Sequence, residues 1–299
     1  MFPKSVSPDK AVRAASLKLG EELSNYGVDL GAREDVYAAF LVYLREGYPA
    51  EKASLSAEER RVMERMERGF RREGMDLPAH ARASLKTMRK RLSKVDSENQ
   101  ACLDNLETIL RYTDAELAGV PPSFMAGRKV DASGRREVTL SGPDTGDVLK
   151  YCTVRATRRA VSLARSQRCQ AENTPRMEEA QQLRGKIAKT LGYKNYAAEA
   201  IEVKMAKTPE AVFTFLDSLK DKVRSAYGRY RRKLSCAKQF AERPGQKVAA
   251  AAAGKKAGDA GDDTCKLNGW DHSFYSQVII KNDFKVRWGV RWGAGHGGD

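Results

Sequence analysis

Apolar residues recur every three or four positions through most of the chain, the period of helices that turn one face inward. Val12, Ala15, Leu19, Leu23, Tyr26 and Leu30 trace such a face behind Ser7-Pro8, which offers an N-cap followed by proline at the first helical position. A second helix is predicted over Arg33 to Arg45. Ser56-x-x-Glu59 is a capping box that opens a third, through Val62, Met63, Met66 and Phe70 to Gly74. Pro78 begins a long helix whose seam runs Leu85, Met88, Leu92, Val95, Asn99, Cys102, Leu106 and Ile109. Steps of three and four alternate along it, so it is expected to pack lengthwise on a neighbour. Asn99 is the polar member of the seam and reads as a residue that fixes packing register rather than as a site residue.

Thr113-x-x-Glu116 predicts one more helical turn, after which Pro121, Pro122, Gly127, Gly134, Gly142 and Pro143 break the rhythm. A small β-hairpin is predicted there, with Glu137 to Leu140 as a strand and Ser133-Gly134 as a turn. Helices resume over Val154 to Gln170, and Thr174-Pro175 opens another that runs to Gly192, a C-terminal cap. Thr208-Pro209 opens the last long helix, with Val212, Phe215, Leu219, Val223, Ala226, Tyr230 and Leu234 on its apolar side and an end near Pro244. The fold class is therefore mainly α with a minor hairpin. Residues 248–264 are biased to Ala, Gly and Lys and read as a flexible low-complexity insertion. Packed aromatic and aliphatic content returns after it, and residues 287–299 form a Gly-rich tail without period.

Composition narrows the class. The 299 residues are 41% hydrophobic, 31% charged and 8% aromatic, with a mean hydropathy of -0.59, which fits a helix-rich protein with its own core. The longest apolar run, Val36 to Leu44, falls far short of the roughly 20 residues of a membrane-crossing helix. The start, Met1-Phe2-Pro3-Lys4, lacks the apolar stretch of a secretory leader, so a cytoplasmic address is expected. Net charge is +15 and clustered: residues 60–95 carry +8, 148–171 carry +6 and 204–247 carry +8. Such clusters attract polyanions. Here the cations alternate with apolar residues at helical spacing and no aromatic stacking pattern accompanies them, so solvated helix faces and weak, salt-sensitive polyanion binding are expected. The five cysteines, 102, 152, 169, 236 and 265, show no Cys-x-x-Cys or other metal or redox spacing. Free thiols and no disulfide are expected.

Six blocks carry a resemblance. SPDKAVRAAS (7–16), REDVY (33–37), RGFRREGMDLP (68–78), RRAVSLARSQRCQAEN (158–173), LGYKNYAAEAIEVKMAKTPEAVFTFLDSL (191–219) and WDHSFY (270–275) resemble, in order, consecutive segments of the thimet oligopeptidase, neurolysin and saccharolysin family of zinc metallo-oligopeptidases. The resemblance covers residue 5 to about 286 and corresponds to the N-terminal portion of such an enzyme. It implies a two-lobed, mostly helical peptidase whose channel admits short peptides, with zinc held by a His-Glu-x-x-His helix whose Glu takes a proton from bound water. In those terms residues 1–247 are the helical N-terminal lobe, 248–264 the insertion, 265–286 the start of the following lobe, and 287–299 lie outside the family.

The zinc site itself is not expected in this chain. His80, His272 and His296 are followed by Ala, Ser and Gly, and no two stand three to five residues apart. Isolated histidines of this kind read as ordinary surface or core groups. Asp271 and Tyr275 have side chains suited to acid-base work, but Trp270, Phe274 and Tyr275 at helical spacing read better as core anchors with Asp271 near a helix N-terminus. No Gly-x-Ser-x-Gly elbow, phosphate-binding loop or dinucleotide fingerprint occurs. The expectation is a fragment of a zinc endopeptidase with no catalytic, cofactor or metal residues of its own, inactive alone and monomeric. Its partners would be short peptides in the complete enzyme, with no specific nucleic acid and no membrane. The alternatives are a non-catalytic helical protein that binds peptides or a partner, and a non-specific polyanion binder.

Overall fold

The computed structural model describes residues 3–106, 108–241 and 266–284. Helix dominates, as the periodicity predicts. In chain order the helices are α1 (Pro3–Val6), α2 (Lys10–Gly31), α3 (Glu34–Val42), which runs through a π-helical turn at Tyr43–Gly47 into α4 (Tyr48–Glu51), α5 (Ala57–Arg72) and α6 (Ala79–Asp104). After strand β1 (Ile109–Tyr112) come α7 (Pro122–Ala126), strand β2 (Arg136–Thr139), α8 (Gly142–Tyr151), α9 (Arg155–Ser166), α10 (Gln170–Thr190), α11 (Tyr196–Ile201), α12 (Pro209–Ala241) and α13 (Gly269–Phe284).

Two compact units share the chain. The first comprises residues 1–106 and 169–215, the second 107–168 and 216–299. The expected boundaries at 248–264 and 287–299 lie outside the described residues.

In the first unit α6 packs against α10 and α2. Leu85 and Val95 on its seam are buried, as are Ala180 and Ile187 on α10. Charged pairs border these contacts: Arg91 donates to Glu179 at 2.6 and 2.7 Å, Arg184 to Asp96, and Lys86 and Lys90 flank Asp29. The Ser56 capping box forms as predicted, with Glu59 N donating to Ser56 Oγ and Ser56 N to Glu59 Oε2. Gly74 ends α5 at φ +77, where a Cβ would come within 2.6 Å of Leu85 Cδ2, so the position requires glycine.

Several expectations are corrected here. Helix α2 is capped by Asp9, whose carboxylate accepts from Ala11 N, and not by Ser7. The α6 seam stops at Asp104, and Ile109 enters β1. Thr113 and Glu116 exchange capping bonds in a turn that does not continue as helix. Helix α10 starts at Gln170, so Pro175 lies inside it.

A fifth correction concerns cysteine. Cys102 at the end of α6 and Cys169 before α10 form a disulfide with Cα atoms 6.2 Å apart, within the usual bridging range. The expectation of free thiols throughout fails because α6 and α10 lie side by side, a contact that a separation of 67 residues hides.

The second unit holds the sheet. β1 and β2 pair antiparallel, Ile109 opposite Thr139 and Tyr112 opposite Arg136. The predicted strand and the Ser133-Gly134 turn are both present, Gly134 at φ +76. The main partner of β2 is β1, however, whose first residue, Ile109, is the last member of the predicted helical seam. Leu117, Phe124, Val138, Val148 and Val161 form the core behind this sheet, and Leu234, Ala237 and Tyr275 form a second cluster between α12 and α13.

Candidate functional site

The residues with the strongest chemical interest in the sequence, Asp271 and Tyr275, lie on the first turns of α13, both buried. Asp271 N donates to Asn268 O at 2.9 Å, and Asn268 returns two bonds to Asp271 Oδ2, from its backbone N and from Nδ2, each 3.2 Å. Lys238 of α12 places Nζ 3.3 Å from the same oxygen and donates to Lys266 O. On the other side Arg158 of α9 approaches Asp271 Oδ1 at 3.5 Å, and Arg155 stands 3.9 Å from it.

Arg158 is 1% exposed, and each of its three guanidinium nitrogens has an acceptor. It donates to Cys152 O at 2.9 Å, Thr153 O at 3.2 Å and Trp270 O at 3.3 Å, and lies 4.1 Å from the centroid of the Phe274 ring. A buried arginine survives on this kind of satisfaction, since its planar fork reaches several carbonyls at once and its face stacks on an aromatic. Burial pushes the Asp271 carboxyl up, but the bonds from Asn268 and the neighbouring Lys238 ammonium outweigh it and hold it below the usual carboxylate range.

A carboxylate held ionised, enclosed by cations and closed to solvent cannot take a proton from a substrate in the way a general base must. The arrangement ties α9, α12 and α13 together. Tyr275 packs in the core beside it with Phe274 edge-on at 5.1 Å. Asp271, Trp270 and Tyr275 therefore lie together as the sequence reading places them, as helix anchors. Arg158 and Lys238, which complete the cluster, escape that reading. Arginines and lysines are assigned to solvent by default, and the one signal was a basic residue in a helix whose neighbours Thr157 and Val161 are buried.

Of the remaining candidates, the two described histidines lie on separate elements. His80 lies exposed at the start of α6, His272 is half-buried on α13, and His296 falls outside the described residues. Asn99 lies on the α6 seam facing α10, its backbone carbonyl accepting from Asn173 Nδ2 at 3.1 Å. Among the described residues no group of three or more His, Cys, Asp or Glu side chains is placed to hold a metal ion. The zinc that the resemblance implies therefore finds no fitting donor set among them. The Cys152 thiol, buried, is pushed up by that burial and is a poor nucleophile at neutral pH.

Residues 148–288, which contain this whole charged cluster, match the family model described as Peptidase family M3. The chain is also 27% identical over 289 residues to the thimet-like oligopeptidase of Dictyostelium discoideum, an alignment covering 95% of this chain and 41% of that protein. It is 31% identical to oligopeptidase A of Salmonella typhimurium over 68% of this chain and 32% of the relative, and 25% identical to saccharolysin of Saccharomyces cerevisiae over 95% and 39%. The chain is a relative of the M3 oligopeptidases. It spans between about a third and two fifths of the length of these curated relatives. Asp271 and Tyr275 both fall within the matched segment, in the contacts that join α9, α12 and α13.

Proposed function

We propose that this chain is an N-terminal portion of a thimet-oligopeptidase-like zinc endopeptidase that acts on short peptides, and that the 299 residues alone neither retain zinc nor hydrolyse peptides. The observation that carries the reading is the alignment of 95% of this chain with 41% of a thimet-like oligopeptidase. Exposed apolar residues on α12 support it. Phe213, Leu216, Leu219, Val223 and Tyr227 are 43 to 66% exposed, a pattern suited to a face that further chain covers. In this reading the protein is cytoplasmic and monomeric, no residue of the chain is catalytic, and zinc chemistry, with its polarised water, belongs to a His-Glu-x-x-His helix encoded beyond it.

Two measurements test this. The dialysed chain is expected to carry no stoichiometric zinc by elemental analysis and to leave a quenched fluorescent short peptide uncut, with or without added zinc. The transcript beyond codon 286 is expected to continue into a frame that encodes His-Glu-x-x-His. Stoichiometric zinc with chelator-sensitive cleavage by this chain would overturn the reading. A native stop with no downstream motif would favour a non-catalytic, peptide-binding or partner-binding protein instead.

A further inference from the structure

The first unit contains a cavity of about 830 Å³ between α5 and the turn at residues 202–207. It is remote in sequence from the Asp271 cluster and independent of the peptidase reading. Eight of the residues that line it are Lys or Arg and two are Glu. The imbalance begins in the sequence of α5. Arg61, Arg65, Arg68 and Arg72 follow one another at steps of four, three and four, which stacks them on a single helix face.

Part of that charge is already used. Arg72 donates to Glu202 Oε2 at 2.9 Å and to the Glu199 carbonyl at 2.7 Å, Arg71 also pairs with Glu202, and Tyr193 donates to Glu202 at 2.6 Å. These bonds fix α5 to the segment after α11 and so set the two walls of the cavity. Arg60 is tied to the carbonyls of Leu55 and Lys52, and Lys52 lies over the Tyr48 ring. What remains is Arg61, Arg65 and Arg68 on one wall and Lys204 and Lys207 on the other, none of them with a carboxylate partner among the described residues. Glu64 is the remaining acid in the lining.

The opposite wall is also unusual in its backbone. Lys207 holds φ +60 without being glycine. Left-handed backbone at a non-glycine residue is uncommon and tends to persist where a ligand or a clamp needs it. Beside the lysines stand Val203, just before Lys204 and 49% exposed, and Met205, whose side chain is wholly in solvent. A flexible thioether offered in this way suits irregular apolar side chains.

We propose that this cavity is a binding groove for an acidic peptide segment in extended conformation, its carboxylates taken by the Arg61, Arg65 and Arg68 forks and by Lys204 and Lys207, and its apolar side chains set against Val203 and Met205. The eleven steps from Arg61 to Arg72 rise about 16 Å along the helix, the length of roughly five extended residues. Guanidinium forks match carboxylates in bidentate geometry. Single-stranded nucleic acid fits the groove less well, because binding it relies on aromatic platforms for the bases, and Tyr48, the one aromatic in the lining, is already under Lys52.

The test is fluorescence anisotropy on the 299-residue chain with a labelled Glu-Leu-Glu-Leu-Glu-Glu peptide, its Gln-for-Glu counterpart and a labelled thymidine hexanucleotide. The acidic peptide is expected to bind at least tenfold more tightly than either of the others in 150 mM salt. Arg65→Glu with Arg68→Glu is expected to weaken it at least tenfold, while Lys222→Glu with Arg229→Glu, the same charge change on exposed positions of α12, weakens it less than threefold. If the α5 pair loses helical circular dichroism, Lys204→Gln with Lys207→Gln on the opposite wall decides, with an expected loss of at least fivefold. Equal losses from the groove and α12 variants, or a hexanucleotide that binds as tightly as the acidic peptide, would show a diffuse cationic surface and overturn the proposal. So would an acidic peptide that fails to bind.

Discussion

At the scale of single residues, two carboxylates are held ionised by different partners, and each predicts its own measurement. Glu202 is partly buried, which pushes its carboxyl up, yet the bonds from Tyr193, Arg72 and Arg71 outweigh burial and bring it down to about 2 from 4.5. Because the folded value is depressed, the stabilisation is fully present above pH 4.5 and is lost as the pH falls towards 2. Glu202→Gln is therefore expected to lower the melting temperature at pH 7, with the gap to the unsubstituted chain closing between pH 4.5 and 2. A gap that stays constant across that window would show that the carboxylate charge is not what matters. Asp271 stands among Arg158, Lys238 and Arg155, and removing one member of such a buried group leaves the others uncompensated. Asp271→Ala is expected to cost about 3 to 5 kcal/mol, read as a fall in the urea midpoint. Replacing the partners with apolar residues as well, as in Asp271→Leu with Arg158→Met, is expected to recover part of that loss, since buried charge pairs and apolar groups of similar volume are closely matched in stability.

At the scale of elements, what the sequence discloses is what neighbours in the chain decide among themselves. The Ser56 capping box, the left-handed Gly74 and Gly192 that end α5 and α10, and the Thr208-Pro209 start of α12 all follow from side chains within four residues of the backbone they satisfy. The α6 seam is also legible as far as Cys102, because its period survives whatever it packs against. Beyond that point local signals and tertiary context part company. Leu106 and Ile109 continue the helical period, yet the pairing of Ile109 with Thr139 across the sheet draws the second of them into a strand. The Arg158 to Asp271 contact and the Cys102 to Cys169 bridge span 113 and 67 residues, and nothing local announces either. The bridge lies where the first unit is interrupted between residues 106 and 169. A non-reducing peptide map of chain purified without reductant is expected to join the Cys102 and Cys169 peptides and to leave Cys152 and Cys236 as thiols. A loop of this length limits the unfolded chain by up to about 4 kcal/mol in the chain-entropy account, so reduction is expected to lower the urea midpoint. Finding Cys102 and Cys169 both free in the unreduced chain would remove the element-scale correction.

At the scale of the whole molecule, the apolar side of α12 was legible as a stripe but not as an exposed one. Periodicity reports that a helix has an apolar face; what covers the face lies elsewhere, and here Leu219 and Val223 remain 43% and 48% exposed. Relatives that are more than twice as long supply a candidate cover, and a charge placed on the stripe separates the two situations. In the 299-residue chain Leu219→Glu and Val223→Glu meet water, so each is expected to change stability by no more than about 0.5 kcal/mol, as exposed substitutions do. In a protein extended by the downstream lobe, the same glutamates enter a packed interface without a partner, and an unpaired charge there costs several times as much. The expected result is a small shift in urea midpoint for this chain and a loss of more than about 2 kcal/mol for the extended one. Equal, small shifts in both would mean that the stripe stays in solvent in the longer protein. The exposed face of α12 would then no longer support the reading of this chain as one portion of an M3-like oligopeptidase, which would rest on the alignment alone.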